Sequence, residues 1–117
     1  MEETAYALLQ KGRHLLETNN PAQAAHVLER AHRLEPDKQS ILEPLAIATY
    51  NFGRYEQALD YFSMLVELNP SNSYAHFGLG LSLKKTGSMA RARGHLKMAC
   101  AMEPGSELFK LALAGCR

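Results

Sequence analysis

Five histidines and two cysteines are the residues of this 117-residue sequence that are best suited to holding a metal ion. His26 and His32 are six positions apart, whereas two ligands on one helix face need a spacing of three or four. Neither Cys100 nor Cys116 has another cysteine within three residues, so no zinc-type motif is present. We therefore expect no metal site, no cofactor, and two free thiols in a reducing compartment.

Residues 78–80, Gly-Leu-Gly, lack the surroundings of a phosphate-binding loop. They lie within a predicted helix, with no preceding strand and no phosphate-loop lysine after them. Serine, histidine and aspartate residues occur, but no motif orders them as a catalytic triad and no nucleophile elbow is present. The sequence therefore predicts a protein that is not an enzyme, and it assigns residues 78–80 to helix packing.

Charge is distributed unevenly along the chain, although the formal net charge is only +1. Up to Pro70, ten acids against six Lys and Arg residues give −4, and from Ser71 onward seven bases against two acids give +5. The small total argues against general nucleic-acid binding. The asymmetry could steer an acidic segment to the C-terminal half or align copies head to tail, or it could reflect solvated helix faces without a partner.

Composition places the chain among folded soluble proteins. Hydrophobic residues make up 46% of it, and no run of about 18 apolar residues could cross a bilayer. The start of the chain, residues 1–4, is acidic and lacks the basic, apolar and small-residue regions of an export signal. We therefore expect a single domain over residues 1–117, in the cytoplasm and without membrane insertion.

A regular internal repeat organises the chain. Pro36, Pro70 and Pro104 are 34 positions apart, and each follows an acidic or amide residue. Five further series keep the same step: Ala24, Ala58 and Ala92; Leu28, Phe62 and Leu96; Leu34, Leu68 and Met102; the small residues Gly12, Ala46 and Gly80; and Asn19, Gly53 and Gly87, which lie where the chain should turn.

Between these markers the apolar residues recur at steps of three and four, which is typical of helices. The predicted helices lie near 4–18, 21–34, 40–52, 55–68, 73–86, 89–102 and 106–115. Asn20 is expected to cap the second helix with its side chain, and Ser106 the last. Ser40 and Glu43 have the spacing of a capping box at the start of the third.

These residue types at this spacing resemble the tetratricopeptide repeat family over residues 5–104. The resemblance implies an all-α fold: a right-handed α-solenoid of three antiparallel helix pairs, with repeats near 5–38, 39–72 and 73–106 and a seventh, capping helix near 106–115. The matching residues are Leu8, Gly12, Leu15, Ala24, Leu28, Ala31 and Pro36; Leu42, Leu45, Ala46, Ala58, Phe62 and Pro70; and Leu79, Gly80, Leu83, Ala92, Leu96, Ala99 and Pro104.

One residue departs from the repeat pattern, and one helix lies beyond the third repeat. His76 stands where the family usually has a bulky apolar residue. In the last helix, Leu108, Leu111 and Ala112 are expected to cover the end of the third repeat, while Phe109 and Leu113 fall on the other side and leave apolar surface free for contact.

The first helix of each pair should line the concave face of such a stack. Its free side carries aromatic and aliphatic residues, and Lys84 and Lys85 place positive charge at one end. This arrangement predicts a groove for a peptide segment of a partner protein, with apolar anchors and room for an acidic flank. The candidate groove residues are Tyr6, Leu9, Arg13, Ile47, Tyr50, Tyr74, Phe77, Leu81, Lys84 and Lys85.

Several functional interpretations remain open. The first is an adaptor that binds a protein partner in this groove, and the second is a homo-oligomeric scaffold assembled through the charge asymmetry, Phe109 and Leu113. A third is a small chaperone of type III secretion translocators, because residues 74–80 resemble part of the groove of those chaperones. Related domains hold the acidic tails of chaperones with a carboxylate clamp of lysine, asparagine and arginine. The corresponding positions here are Leu9, Arg13, Pro44, Tyr74 and Gly78. Only Arg13 is charged, so we expect no such clamp.

Overall fold

The computed structural model describes residues 3–116, so Met1, Glu2 and Arg117 lie outside it, including the two charges that Glu2 and Arg117 contribute to the asymmetry. The described chain forms seven α-helices and contains no strand, which confirms the predicted all-α class. Each predicted helix boundary is met within one residue. The helices are α1 (Ala5–Glu17), α2 (Pro21–Leu34), α3 (Gln39–Asn51), α4 (Tyr55–Leu68), α5 (Ser73–Lys85), α6 (Met89–Met102) and α7 (Glu107–Ala114).

Helices adjacent in sequence are also adjacent in space. α1 packs against α2, α3 against α4 and α5 against α6, and each pair contacts the next through α2 with α3, α4 with α5 and α6 with α7. The resulting stack is elongated, with principal extents of 50 × 24 × 23 Å. This is the α-solenoid expected from a repeat whose single pairs cannot bury their own apolar faces.

Two buried clusters form the core, and α3 contributes to both. The first joins α1, α2 and α3, with Leu8 and Leu28 at its centre. The second extends from α3 to α7 and contains Leu42, Phe62 and Leu96. Because successive helices share these clusters, the position of each helix pair depends on its neighbours.

The turn inside each helix pair explains the series Asn19, Gly53 and Gly87. All three residues have left-handed backbone angles, with φ of 61°, 89° and 92°. Glycine and asparagine tolerate this region, whereas a larger or branched side chain is strained there. The regular recurrence of small or amide residues at this place is therefore a requirement of the turn.

The expected helix caps are only partly observed. Ser106 caps α7, since its hydroxyl accepts a hydrogen bond from the backbone N–H of Phe109 at 3.2 Å. The prediction for Asn20 is wrong because its side-chain amide donates instead to Thr18, at 3.0 Å to both the carbonyl and the hydroxyl. The capping box is also wrong, because α3 begins one residue early and Ser40 lies inside its first turn.

Helix α7 buries a different face from the one predicted. Phe109 is 4% exposed, whereas Leu108 and Leu111 are 56% and 71% exposed. The reason is register: α7 begins one full repeat after α5, so Phe109 takes the position of Ala75, which is fully buried. Phe109 therefore belongs to the core and offers no surface for self-association. Ala112 packs against the core as predicted, and Leu113, predicted to face away, is also partly buried there.

Candidate binding site between α3 and α5

An open cavity of about 100 Å³ lies between α3 and α5. Five of the ten predicted groove residues line it, two from α3 and three from α5. The full lining is Ile47, Tyr50, Asn51, Phe62, Tyr74, Phe77, Gly78 and Leu81. The fold thus brings the middle of the predicted groove together in a single concave site.

Helical spacing positions the walls of this cavity. Ile47 and Tyr50 are three residues apart on α3, so they share one face of that helix. Tyr74 and Phe77 are likewise three apart on α5, and their ring centroids are 5.5 Å apart in a tilted arrangement. The two helices, as first members of consecutive pairs, present these faces to the same space.

The floor of the cavity is the ring of Phe62, from α4. Gly78 has no side chain to cover this ring, and both residues line the cavity. The sequence assigned Phe62 to the core and residues 78–80 to helix packing, and both assignments agree with the contacts. What it did not reveal is that Phe62, only 2% exposed, borders this cavity together with Gly78.

The tyrosine hydroxyls of the cavity are held in their neutral form. Burial raises the pKa of Tyr50, and nearby Tyr55 adds to the effect. Burial also raises the pKa of Tyr74, with a further contribution from Glu43. Both hydroxyls therefore remain hydrogen-bond donors at neutral pH beside a wall that is apolar except for Asn51.

A second aromatic group links the cavity to positive charge. The ring of Tyr55 lies edge-on to Tyr50 at 5.0 Å, and Nζ of Lys85 lies 5.3 Å from the centre of the Tyr55 ring. Lys84 is half-buried and lies close to Gly115. Tyr55 was missed from the sequence, although its place directly after the α3–α4 turn indicates that it lies near the end of α3.

The other five predicted groove residues do not line this cavity: Lys84 and Lys85 at the end of α5, and three residues on α1. Tyr6 is 70% exposed and Arg13 is also exposed, whereas Leu9 is buried in the N-terminal core cluster. On α5, Phe77 is largely covered, because the ring of Phe109 lies 4.9 Å from it. The cavity therefore lies in the middle of the stack and does not extend to α1.

His76 and His95 form a contact that the sequence did not reveal. Their Nδ1 atoms are 3.1 Å apart, and Nε2 of His76 is 2.9 Å from the carbonyl oxygen of Pro70. Because a carbonyl only accepts, Nε2 of His76 donates to it, and Nδ1 of His76 accepts from His95. Burial lowers the pKa of His95, with His76 and Arg91 contributing. This pair joins α5 to α6, away from the cavity.

Other sites were sought in the described part of the chain. Within residues 3–116, no three or more His, Cys, Asp and Glu residues are grouped so that they could hold a metal ion. None of the seven helices has the length and apolar character needed to cross a membrane.

Comparison with known proteins gives matches along the chain. A family model described as tetratricopeptide repeat matches residues 9–73 and 44–107. The tetratricopeptide repeat and J domain-containing co-chaperone DNJ1 of Cryptococcus neoformans is 29% identical over 108 residues, which are 92% of this chain and 21% of the relative. The chain therefore spans about a fifth of the length of this curated relative.

Solved structures share the fold at low sequence identity. The crystal structure of YrrB, described as a TPR protein with an unusual peptide-binding site, is 22% identical with a TM-score of 0.88, over 95% of this chain and 57% of YrrB. The first TPR of Spaghetti (RPAP3), bound to the HSP90 peptide SRMEEVD, is 17% identical with a TM-score of 0.89, over 97% and 90% of the two chains.

Proposed function

The chain belongs to the tetratricopeptide repeat family, and we propose that it is a non-enzymatic adaptor that binds a peptide segment of a partner protein in the cavity between α3 and α5. One observation carries the proposal. Aromatic and aliphatic side chains from two first helices surround an open concave site that the buried Phe62 also borders. An apolar cavity with polar groups at its edge is the usual form of a binding site.

The size of the cavity favours a peptide side chain as its occupant. About 100 Å³ is well below the roughly 300–1,000 Å³ of small-molecule sites. It suits one apolar anchor of a peptide, with Tyr50 and Tyr74 supplying rigid contact area and hydroxyl donors. With few anchors and an ordering cost for the peptide, the Kd is on the order of micromolar.

Lys85 supports an acidic flank on the same peptide. Its ammonium group lies over Tyr55, which in turn contacts Tyr50 in the cavity wall. An acidic residue beside the anchor would meet this charge, and Lys84 lies next to it in sequence. The proposed ligand is therefore a segment that combines an aromatic or branched aliphatic residue with neighbouring Asp or Glu.

The ligand that we propose differs from the HSP90 peptide SRMEEVD bound by the first TPR of Spaghetti. At the positions of the carboxylate clamp, this chain has Leu9 and Pro44, both buried, and Gly78, which lies against Phe62. None of these side chains can hold a terminal carboxylate. We infer that apolar anchoring dominates over capture of a charged tail.

Self-assembly is the second candidate, favoured by the exposed Leu108 and Leu111 and by the charge asymmetry. Static light scattering at about 50 mM and about 500 mM salt tests it, because charge-driven association weakens as salt screens it. A salt-dependent oligomer supports this candidate, and a monomer at both concentrations removes it.

The adaptor proposal is tested by selecting peptides from a random phage-displayed library on the intact chain. Enriched peptides are expected to share one aromatic or branched aliphatic residue with Asp or Glu nearby. Fluorescence anisotropy then measures their Kd for the wild type, for Tyr50→Ala, and for Tyr6→Ala as the matched exposed control. Tyr50→Ala is expected to weaken binding by about tenfold and Tyr6→Ala to leave it unchanged. Equal binding by all three proteins would contradict the cavity as the binding site.

A further inference from the structure

The first helix of each pair uses a fixed set of positions to contact the helix that follows it. On α1, Gly12 lies against Leu28 of α2. On α5, Gly80 lies against Leu96 and His76 against His95, both on α6. These positions of a first helix therefore pack against the second helix of the same pair.

Helix α7 repeats these positions at its own place in the stack. It starts one full repeat after α5, so Lys110, Leu113 and Ala114 take the positions of His76, Leu79 and Gly80. The three α5 residues are buried, whereas Lys110 and Ala114 are exposed and Leu113 is half-buried. Within residues 3–116, no helix covers this face of α7.

The neighbouring face of α6 also repeats a helix contact. Lys97 and Cys100 take the positions of Glu29 and His32 on α2, two repeats earlier. There, Glu29 accepts a hydrogen bond from the hydroxyl of Tyr61 at 3.4 Å, and His32 lies edge-on to the same ring at 6.1 Å. Tyr61 belongs to α4, the second helix of the following pair. The corresponding α6 positions therefore face the place of such a helix.

These two faces meet in an open cleft of about 410 Å³, which we name the terminal surface. Its lining is Arg93, Lys97, Cys100, Lys110, Leu113 and Ala114. Leu113 and Ala114 keep the apolar and small character of the positions that pack against a second helix, while three cations surround them. Within residues 3–116, neither Arg93 nor Lys97 forms an ion pair, and Lys110 has only an exposed contact with Glu107 at 3.7 Å.

We propose that the terminal surface binds an amphipathic helix of another protein, with a large apolar residue against Ala114, as Leu96 lies against Gly80, and acidic residues toward Arg93, Lys97 and Lys110. Because the equivalent surfaces in this chain are covered by helices, we expect the partner segment to be a helix as well. The three cations set its charge, because an acidic helix pairs with them and a basic helix is repelled. This surface is separate from the cavity between α3 and α5, so the proposal stands independently of the peptide groove.

The chain itself supplies a matched pair of probes. A peptide of residues 55–68 has the sequence of α4, with three acids and no Lys or Arg. A peptide of residues 89–102 has the sequence of α6, with three Lys and Arg residues and no acid. Both are 14 residues long and come from the same register of the repeat. They differ in the sign of their charge, and the α4 peptide also carries three aromatic residues that the α6 peptide lacks, so the charge effect is identified by its loss at high salt.

Fluorescence anisotropy with the labelled peptides and the full chain tests the proposal. We expect the α4 peptide to bind at least about tenfold more tightly than the α6 peptide at low salt. Lys97→Glu should weaken binding of the α4 peptide by about fivefold, and Ala114→Arg should abolish it. Lys11→Glu, at the other end of the stack, and Tyr50→Ala, in the cavity, should leave the affinity for this peptide unchanged. All four variants are checked for wild-type circular dichroism and thermal melting before use.

Four outcomes overturn the proposal. One is equal binding of the two peptides, and another is α4-peptide binding that survives both Lys97→Glu and Ala114→Arg. The third is a chain that is dimeric by light scattering and becomes monomeric with Ala114→Arg, which would assign the terminal surface to a second copy of this protein. Loss of binding with Tyr50→Ala alone places the peptide in the cavity and likewise contradicts the terminal surface.

Discussion

Gly78 on α5 lies against the ring of Phe62 on α4 with no space between them for a Cβ atom. The same ring forms the floor of the cavity that we propose as the peptide site. This glycine thus allows the close approach of two helices at the edge of the proposed site. Any side chain at this position has to displace the ring.

Gly78→Ala tests this relationship. The added methyl group overlaps the Phe62 ring, so the variant should lose about 1–3 kcal/mol of unfolding free energy in urea denaturation. Gly94→Ala is the matched control, because Gly94 lies within α6 with no atom in reach of a Cβ. Alanine there should raise stability by about 0.5–1 kcal/mol. Equal effects of the two substitutions would contradict the contact.

Phe109→Ala tests which face of α7 is buried. Phe109 lies in the core against Phe77, so its truncation should cost about 3 kcal/mol of unfolding free energy and expose α7 to limited proteolysis. Leu111→Ala removes a side chain that is 71% exposed and should change stability by less than about 0.5 kcal/mol. If Leu111→Ala proves the more damaging of the two, the orientation of α7 described above is incorrect.

The histidine pair predicts a pH dependence of stability. Because burial lowers the pKa of His95 below its ordinary value of about 6.5, the unfolded chain binds this proton more readily than the folded chain. The contribution of His95 is complete above about pH 6.5 and is lost as the pH falls toward the folded pKa.

Urea unfolding at about pH 7.5 and about pH 5.5 measures this loss. His95→Gln keeps a donor for Nδ1 of His76 but cannot be protonated, so it should lose less stability between the two pH values than the wild type. His14→Gln, at an exposed position on α1, should behave like the wild type. A pH dependence that is unchanged in His95→Gln assigns the effect to other groups.

The absence of a carboxylate clamp predicts a ligand preference. The peptide SRMEEVD, which the first TPR of Spaghetti binds, should bind this chain at least about tenfold more weakly than a selected peptide with an apolar anchor. Isothermal titration calorimetry measures both affinities under the same buffer and salt. Comparable affinities would indicate that charge capture, and not the apolar cavity, dominates recognition.

Lys85→Glu tests the acidic flank of the ligand. Reversing this charge should weaken a selected peptide that carries Asp or Glu by about threefold to tenfold, with a smaller effect as salt is raised. Lys38→Glu, on an exposed residue that does not line the cavity, is the control. A peptide whose Asp and Glu residues have been changed to Asn and Gln should bind the wild type and Lys85→Glu with the same affinity. If this neutral peptide also loses affinity, the effect of the substitution is not electrostatic.

The fold could be predicted closely from the sequence because its determinants are local and repeated. Prolines at a regular step end the second helices, and residues such as Gly53 and Gly87 adopt the left-handed turn inside each pair. Apolar residues at steps of three and four then identify the buried faces. These signals bring every predicted helix boundary to within one residue of the observed one.

The remaining features depend on contacts that periodicity does not encode. Asn20 has two competing hydrogen-bond partners at Thr18, and only the turn geometry decides between them and the helix terminus. The contact of His76 with His95 requires the register of α5 against α6. The buried face of α7 could have been found by extending the repeat to Phe109, which places it at the buried position of Ala75.

The central claim is that the cavity between α3 and α5 binds a peptide through an apolar anchor. Two-dimensional NMR of the isotope-labelled chain, titrated with a selected peptide, tests it most directly. We predict the largest chemical-shift changes at Ile47, Tyr50, Tyr74 and Leu81, and no comparable change at Tyr6 or Arg13 on α1. Changes confined to α1 and α2, with the four cavity residues unaffected, would contradict the claim.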